Sequence, residues 1–331
     1  MVTITDIAAR LGITPSTVSR ALAGSPRVKE KTRLAVEKAA VEMGYERNIL
    51  ASNLRKGHSG IVGIIVPRIN REFFSNVIGG AESVLNQAGY NVLICQTLES
   101  VEAEIKALRT LRLYRVAGVL MSHAIHAQNG SYVRKTLGPD IPLVQFDRVF
   151  PDIPGAKIVG ANCEGAYTAT KHLIEAGYKR IGNIAGYGNA LLYVERLAGY
   201  KMALEDAGMP FDESIVWHDA ILRETGYDAA MKAIEAGCDA LYCAGDFSAL
   251  GAIDALKEKG ISVPDEFGIV GTANESFTSL MTPTISSLGQ RPFEMGQAAA
   301  RAFLNGRAAT DVIPMELHIR QSSNKNNKWQ K

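Results

Sequence analysis

No stretch of the 331 residues stays apolar for about 18 positions, and no basic-then-apolar leader opens the chain. Neither a membrane-spanning helix nor an exported precursor is therefore expected, and the protein is expected to be cytoplasmic. Cysteine is scarce. Cys95, Cys163, Cys238 and Cys243 lie in apolar or turn contexts without a CxxC pair, which reads as reduced core thiols and not as a disulfide framework or zinc site. The signatures of phosphate-binding loops and nucleophile elbows are missing as well. Gly186-Tyr187-Gly188 lacks the third glycine and the acidic partner of a dinucleotide site and reads as a turn. His123 and His126 stand three apart after a candidate strand, but no third ligand accompanies them, so a solvated or cleft-lining pair is the better reading than a metal site. No cofactor and no metal are expected.

Charge is nearly balanced over the chain, at +2, and unevenly placed. Residues 1–58 hold ten Lys or Arg against five Asp or Glu, a net of +5, and the other 273 residues hold 26 against 29, a net of −3. A basic head on a mildly acidic body suits phosphate attraction by the head alone.

That head opens with two short helical patterns. Thr5 is placed to cap the first, Ile7, Ala8 and Leu11 give it an apolar stripe, and Gly12 is the natural stop. Thr14 caps the second, and Pro15 sits at its first position, where a missing N–H costs nothing. So abrupt a restart reads as helix-turn-helix. With Val18, Ala21 and Leu22 facing inward, Pro15, Ser16, Ser19 and Arg20 share an outward face. Arg20 can bond guanine O6 and N7 in a major groove, while the hydroxyls of Ser16 and Thr17 can reach base edges or phosphates. The plainer alternative is a small helical hairpin with a solvated arginine. A third helix is predicted over 31–43, with Leu34, Ala35, Lys38, Ala39 and Glu42 at helical spacing.

Val2-Thr3-Ile4-Thr5-Asp6-Ile7-Ala8, Pro15-Ser16-Thr17-Val18-Ser19-Arg20, Thr32-Arg33 and Met43-Gly44-Tyr45 together closely resemble the amino terminus of the lactose-repressor family of bacterial transcription factors, and the resemblance runs on to about Arg320. It implies a helix-turn-helix head over 1–47 that meets DNA through Thr5, Pro15, Ser16, Thr17, Ser19 and Arg20. It also implies a hinge helix over 48–59 that orders on DNA. Asn48, Ala51, Leu54 and Arg55 would then lie in the minor groove, with Leu54 as the wedge. Taken alone, Asn48 to Gly57 is too short to hold a helix and reads as a fraying linker. Arg47 replaces the family's common proline, and Lys29 stands where a serine cap is usual.

From Gly60 the pattern alternates. Apolar, β-rich runs at 61–66, 92–95, 118–121 and 143–146 are separated by helical stretches at 73–87, 101–113 and 132–137. A second set follows Ala161, with strands near 181–185, 215–217, 240–243 and 268–270 and helices from Glu164, Leu191, Thr225, Phe247 and Pro292. The fold class is therefore α/β, a helical head followed by two doubly wound parallel sheets. The resemblance implies that these form a periplasmic-binding-protein-like clamshell over 60–321, with lobe one at about 60–160 and 290–321 and lobe two at about 161–289. Residues 322–331 are polar, lack heptads and read as a disordered tail, so a dimer and not a tetramer is expected.

Ligands of open parallel sheets bind beyond the carboxyl ends of the strands. Asn70, Phe73 and Phe74 follow the first strand, with Arg71 and Glu72 between them, and Asp147 and Arg148 follow the fourth. Of the adjacent phenylalanines one can pack inward while the other faces a cleft, although an ordinary core pair reads equally well. Arg196 matches the family's effector-binding arginine, against the plainer reading of a surface salt bridge, and Asn162 and Asp147 match cleft positions. Gly245-Asp246 and Ala273-Asn274 depart from the family's pattern at two further ligand positions, carried here by Gly245 and Asn274. Ile221 stands where several members place a stacking aromatic. Together these features describe a DNA-binding transcriptional regulator, a repressor answering to a sugar or sugar derivative and acting as a homodimer on duplex operator DNA. A soluble sugar receptor, a regulator answering to a nucleoside or sugar acid, and a doubly wound enzyme are the alternatives.

Overall fold

The computed structural model describes residues 2–45, 58–188 and 190–325. The hinge positions Asn48, Ala51, Leu54 and Arg55 lie outside them. The head, 1–57, and the body, 58–331, are separate units.

In the head, α1 (Ile4–Leu11), α2 (Pro15–Leu22) and α3 (Glu30–Glu42) enclose a core of Ile7, Ala8, Val18, Ala21, Val36, Ala39 and Ala40. Thr3, not Thr5, caps α1. Its hydroxyl accepts from the Asp6 amide at 3.4 Å while the Asp6 carboxylate accepts from the Thr3 amide at 2.8 Å. The reciprocal pair decides the start, because a helix begun from Thr5 would have Ala8 at the third position, with no acceptor to return. Gly12 ends α1 in the left-handed conformation, with φ +63°, and Thr14 caps α2. The stripe expected on α3 is also displaced: Leu34, Ala35 and Lys38 are exposed, and Val36, Ala39 and Ala40 face the core with Met43 packed beside them. Lys29 precedes α3 without a side-chain cap.

The body holds two six-stranded sheets. In the first lobe β1 (Ile61–Val66), β2 (Asn91–Gln96), β3 (Gly118–Met121), β4 (Leu143–Phe146), β5 (Ala156–Gly160) and β11 (Thr310–Ile313) lie in the order β11-β5-β4-β3-β1-β2, all parallel. Helices α4 (Glu72–Gln87), α5 (Val101–Leu113), α6 (Ser131–Leu137) and α11 (Pro292–Leu304) cover it. Gly80 of α4 and Gly296 of α11 let these two helices meet backbone to backbone, since a methyl on either would collide with the carbonyls of Phe293 or Val77. The second sheet runs β12-β10-β9-β8-β6-β7, built from β6 (Ile181–Ile184), β7 (Val216–Trp217), β8 (Ala240–Cys243), β9 (Gly268–Ala273), β10 (Ser286–Gly289) and an antiparallel β12 (Glu316–His318). Helices α7 (Asn162–Glu175), α8 (Leu191–Asp206), α9 (Arg223–Glu235) and α10 (Asp246–Glu258) flank it.

The chain passes between the lobes at 160–162, at 289–292 and again at 313–316. This third passage returns β12 and the turn Gln321–Ser323 to the second lobe, so 316–321 does not belong with lobe one as the sequence suggested. Nor does the tail begin at Ser322. Ser322 and Ser323 are fully buried: Ser322 Oγ donates to the Ile269 carbonyl at 2.6 Å and accepts from the Ser286 amide at 2.8 Å. No helix among the described residues is long and apolar enough to cross a membrane.

Candidate DNA-reading face and ligand cleft

Val18 and Ala21 anchor α2 to the head, which leaves Pro15, Ser16 and Arg20 exposed and Thr17 and Ser19 half-exposed. Arg20 makes no ion pair or side-chain hydrogen bond among the described residues, whereas Arg10 is held by Glu42 and Arg33 by Glu30. Ser16 and Thr17 each lie 2.9 Å from the Thr14 hydroxyl. They are therefore held to the start of the helix and can exchange that bond for one to a phosphate. Thr5 is exposed on α1.

Between the lobes lies a cleft of about 370 Å³, walled by the segments that follow the strand ends of both sheets. From the first lobe come Arg68, Arg71, Phe73, Phe74, Leu98, Glu99, Ile125, His126, Asp147 and Arg148. Three of these, Leu98, Glu99 and Asp147, have left-handed backbone with φ between +51° and +66°, a conformation costly for side-chain-bearing residues and concentrated at functional sites. Glu99 accepts from Arg148 Nη1 and from the Ile125 amide, both at 2.8 Å, so one carboxylate ties two cleft loops together. Burial pushes the Asp147 carboxyl up, against the pull of Arg148 and Arg196. Phe73 and Phe74 pack edge to face at 5.1 Å; both are buried and both border the cleft, so the choice between core and cleft does not arise.

The second lobe brings Tyr187, Tyr193, Arg196, Ile221, Gly245, Asp246, Phe247 and Glu275, with Gln290 at the crossing. Arg196 is only 4% exposed. Its Nε donates to Asn162 Oδ1 at 3.0 Å and its Nη1 to the Ala244 carbonyl at 2.9 Å, while Nη2 is buried with no hydrogen-bond partner among the described residues. A surface salt bridge is thereby excluded. A buried, unspent charged donor costs about 1–3 kcal/mol or more, a cost that a ligand oxygen can remove. Asp246 accepts from Ser287 Oγ at 2.6 Å and from the Glu275 amide at 2.8 Å, and burial pushes its carboxyl up to about 6. Burial, with Asp246 and Glu72 nearby, pushes Glu275 up to about 7.

Of the residues expected at the ligand, Phe73, Phe74, Asp147, Arg196 and Gly245 are brought together in this wall, and Asn70, Asn162 and Asn274 are not. Asn70 is exposed beside the start of α4. Asn162 stands one step behind, orienting Arg196. Asn274 turns away, its Oδ1 accepting from Arg320 at 2.6 Å. The histidines part company: His123 is buried against Gln145 at 3.0 Å, and His126 lines the cleft beside Tyr187. Arg68, Glu99, Tyr193, Phe247 and Glu275 were not foreseen. The first two follow strands β1 and β2 directly, and the rule that found Phe73 would have found them. Ile221 does border the cleft, and aromatic faces come instead from Tyr193 and Phe247.

Two family models match the chain: "Bacterial regulatory proteins, lacI family" over residues 3–48 and "Periplasmic binding proteins and sugar binding domain of LacI family" over 59–326. The HTH-type transcriptional regulator DegA of Bacillus subtilis (strain 168) is 29% identical over 97% of this chain and 98% of its own length. The HTH-type transcriptional repressor PurR of Vibrio atlanticus (strain LGP32) is 31% identical over 92% and 91%. Among solved structures, a complex of the transcriptional regulator CelR with cellobiose is 27% identical, with a TM-score of 0.73 over 97% of this chain and all of that one.

Proposed function

Because this chain belongs to the lacI family of bacterial regulatory proteins, we propose that it is a repressor whose DNA binding is set by a sugar or sugar derivative held between the lobes. The head, 1–47, reads the major groove through α2, with Arg20 as the base-reading side chain and Ser16, Thr17 and Ser19 beside it. Residues 48–59 form a hinge that inserts Leu54 in the minor groove. Two copies bind one pseudo-palindromic operator in the cytoplasm. Closing the lobes on the ligand changes how the two first lobes face each other and so the stability of the paired hinge. The ligand acts only through its unequal affinity for the two states.

The observation that carries this reading is Arg196, which lines a cleft that both lobes build and whose buried Nη2 has no hydrogen-bond partner among the described residues. The relatives are named as regulators, and regulation needs no bond to be made or broken at the cleft. Two assays on the full chain test it. Selection from random duplex DNA is expected to enrich a two-fold symmetric site, and sugars screened by thermal shift are expected to stabilise the body by about 2.7 kcal/mol at a hundred times the dissociation constant. Enrichment of no symmetric sequence would reject the DNA half of the proposal.

A further inference from the structure

The charges that face the cleft are unequally committed. Glu99 is spent on Arg148 and the Ile125 amide, and Asp246 on Ser287 and the Glu275 amide. Glu275 is buried and crowded by Asp246 and Glu72, which outweigh the pull of Arg71, and it takes a proton near neutrality. The cations are freer. Arg71 lies with its guanidinium 3.9 Å above the Phe247 ring, and among the described residues its side chain makes no ion pair and donates no hydrogen bond. Stacking occupies the flat face of a guanidinium and leaves the N–H edge open, the edge that grips a carboxylate or phosphate with two parallel bonds. Arg196, nine-tenths buried, holds a second open donor in the same cleft.

We infer that the effector is an anionic sugar, a carboxylate or phosphate bearer, whose charged group is gripped by the edge of Arg71 while its hydroxyls meet Arg196 and Asp147. This rests on the reading of the cleft as an effector site. A neutral polyol satisfies Arg196 but brings no anion to the N–H edge of Arg71, so charge is what separates the true ligand from its neutral parent.

The test is calorimetry and thermal shift on the full chain with matched probes: glucose and galactose, their uronates and aldonates, and their 6-phosphates. At least one charged member is expected to bind roughly ten- to a hundredfold more tightly than its neutral parent. The uronate and phosphate arms tell which anion is meant. Arg71→Gln is expected to abolish the preference by weakening the charged sugar at least tenfold more than its neutral parent, and Arg71→Lys to restore part of it. Neutral sugars binding as tightly as their acids overturn the inference and leave the effector site standing. Equal weakening of both classes by Arg71→Gln also overturns it, since Arg71 then serves only as a contact with Phe247 across the lobes. Silence of the whole panel strikes the effector reading itself, and this inference with it.

Discussion

Each lobe spends one cleft carboxylate on its own scaffold, and the two do so by different means. In the first lobe Glu99 is paired with a cation, Arg148, at 2.8 Å, and the pair bridges the loops after β2, β3 and β4. In the second Asp246 is held by neutral donors, a serine hydroxyl and a backbone amide, and ties the start of α10 to β10 and to the segment after β9. Burial outweighs these donors and the pull of Arg320 and pushes the Asp246 carboxyl up to about 6. The cleft arginines follow the same division. Among the described residues Arg196 makes no ion pair and its Nη2 has no hydrogen-bond partner, while Arg148 is committed to Glu99. The unpartnered donor thus belongs to the second lobe, while burial raises a cleft carboxyl in each, Asp147 in the first and Asp246 in the second.

The largest expected effect is on ligand binding. Arg196→Ala removes the open donor and is expected to weaken the ligand a hundredfold or more in calorimetry, about 2.7 kcal/mol, leaving DNA binding without ligand near normal if the ligand is an inducer. Asn162→Ala is expected to do the same more mildly by releasing the guanidinium. Equal affinity for the parent and Arg196→Ala would put the ligand against the first lobe and erase the contrast.

Next is the pH dependence of the body. Asp246 and Glu275 have folded-state values of about 6 and about 7, above their ordinary 3.8 and 4.5. The folded state therefore holds these protons more tightly. Their contribution to stability is full below about pH 4 and is lost as pH rises through 6 and 7. For Asp246 the loss is on the order of 3 kcal/mol, and each kcal/mol corresponds to roughly 2–4 °C in a body of this size. Calorimetric melting is expected to show the fall between about pH 4 and 7, and Glu275→Gln to flatten its upper part. A slope unchanged in Glu275→Gln would mean that the second lobe owes its pH response to other groups.

The smallest effect belongs to the head, which takes no part in the contrast between the lobes. Arg20→Ala is expected to cost about 1–3 kcal/mol on the preferred site and to relax preference at one base pair per half-site. Titration across site variants reads this out; an unaltered base preference removes Arg20 from base recognition.

Much of this architecture was legible in the residues, because most strands of both sheets are buried on both faces and so read as largely apolar runs: Ile61 to Val66, Gly118 to Met121, Leu143 to Phe146 and Ala240 to Cys243 needed no adjustment. The exceptions are instructive. Ser286-Ser287-Leu288-Gly289 carries no apolar run, yet both serines are fully buried, because Ser287 donates to Asp246 and Ser286 accepts from the Ser323 hydroxyl. Such a strand is specified by partners far along the chain. On α3, one helical spacing fits both Leu34–Lys38 and Val36–Ala40, and only packing against α1 and α2 selects the second. At the cleft, residues directly after strands could be found by rule. The stacked Arg71 and the proton held near Glu275 depend on the opposing lobe, which no local pattern encodes. Asn274 misled for the same reason, as Arg320, 46 residues away, claims its side chain.

The most direct measurement is of linkage between the two sites. The affinity of the full chain for its selected DNA is titrated with and without the stabilising sugar, and the sugar is titrated with and without DNA. If the cleft governs the head, both affinities shift by the same factor, of roughly 5 to 150, and Arg196→Ala at the same sugar concentration loses the shift. Equal DNA affinity with and without saturating sugar would contradict a cleft that controls DNA binding.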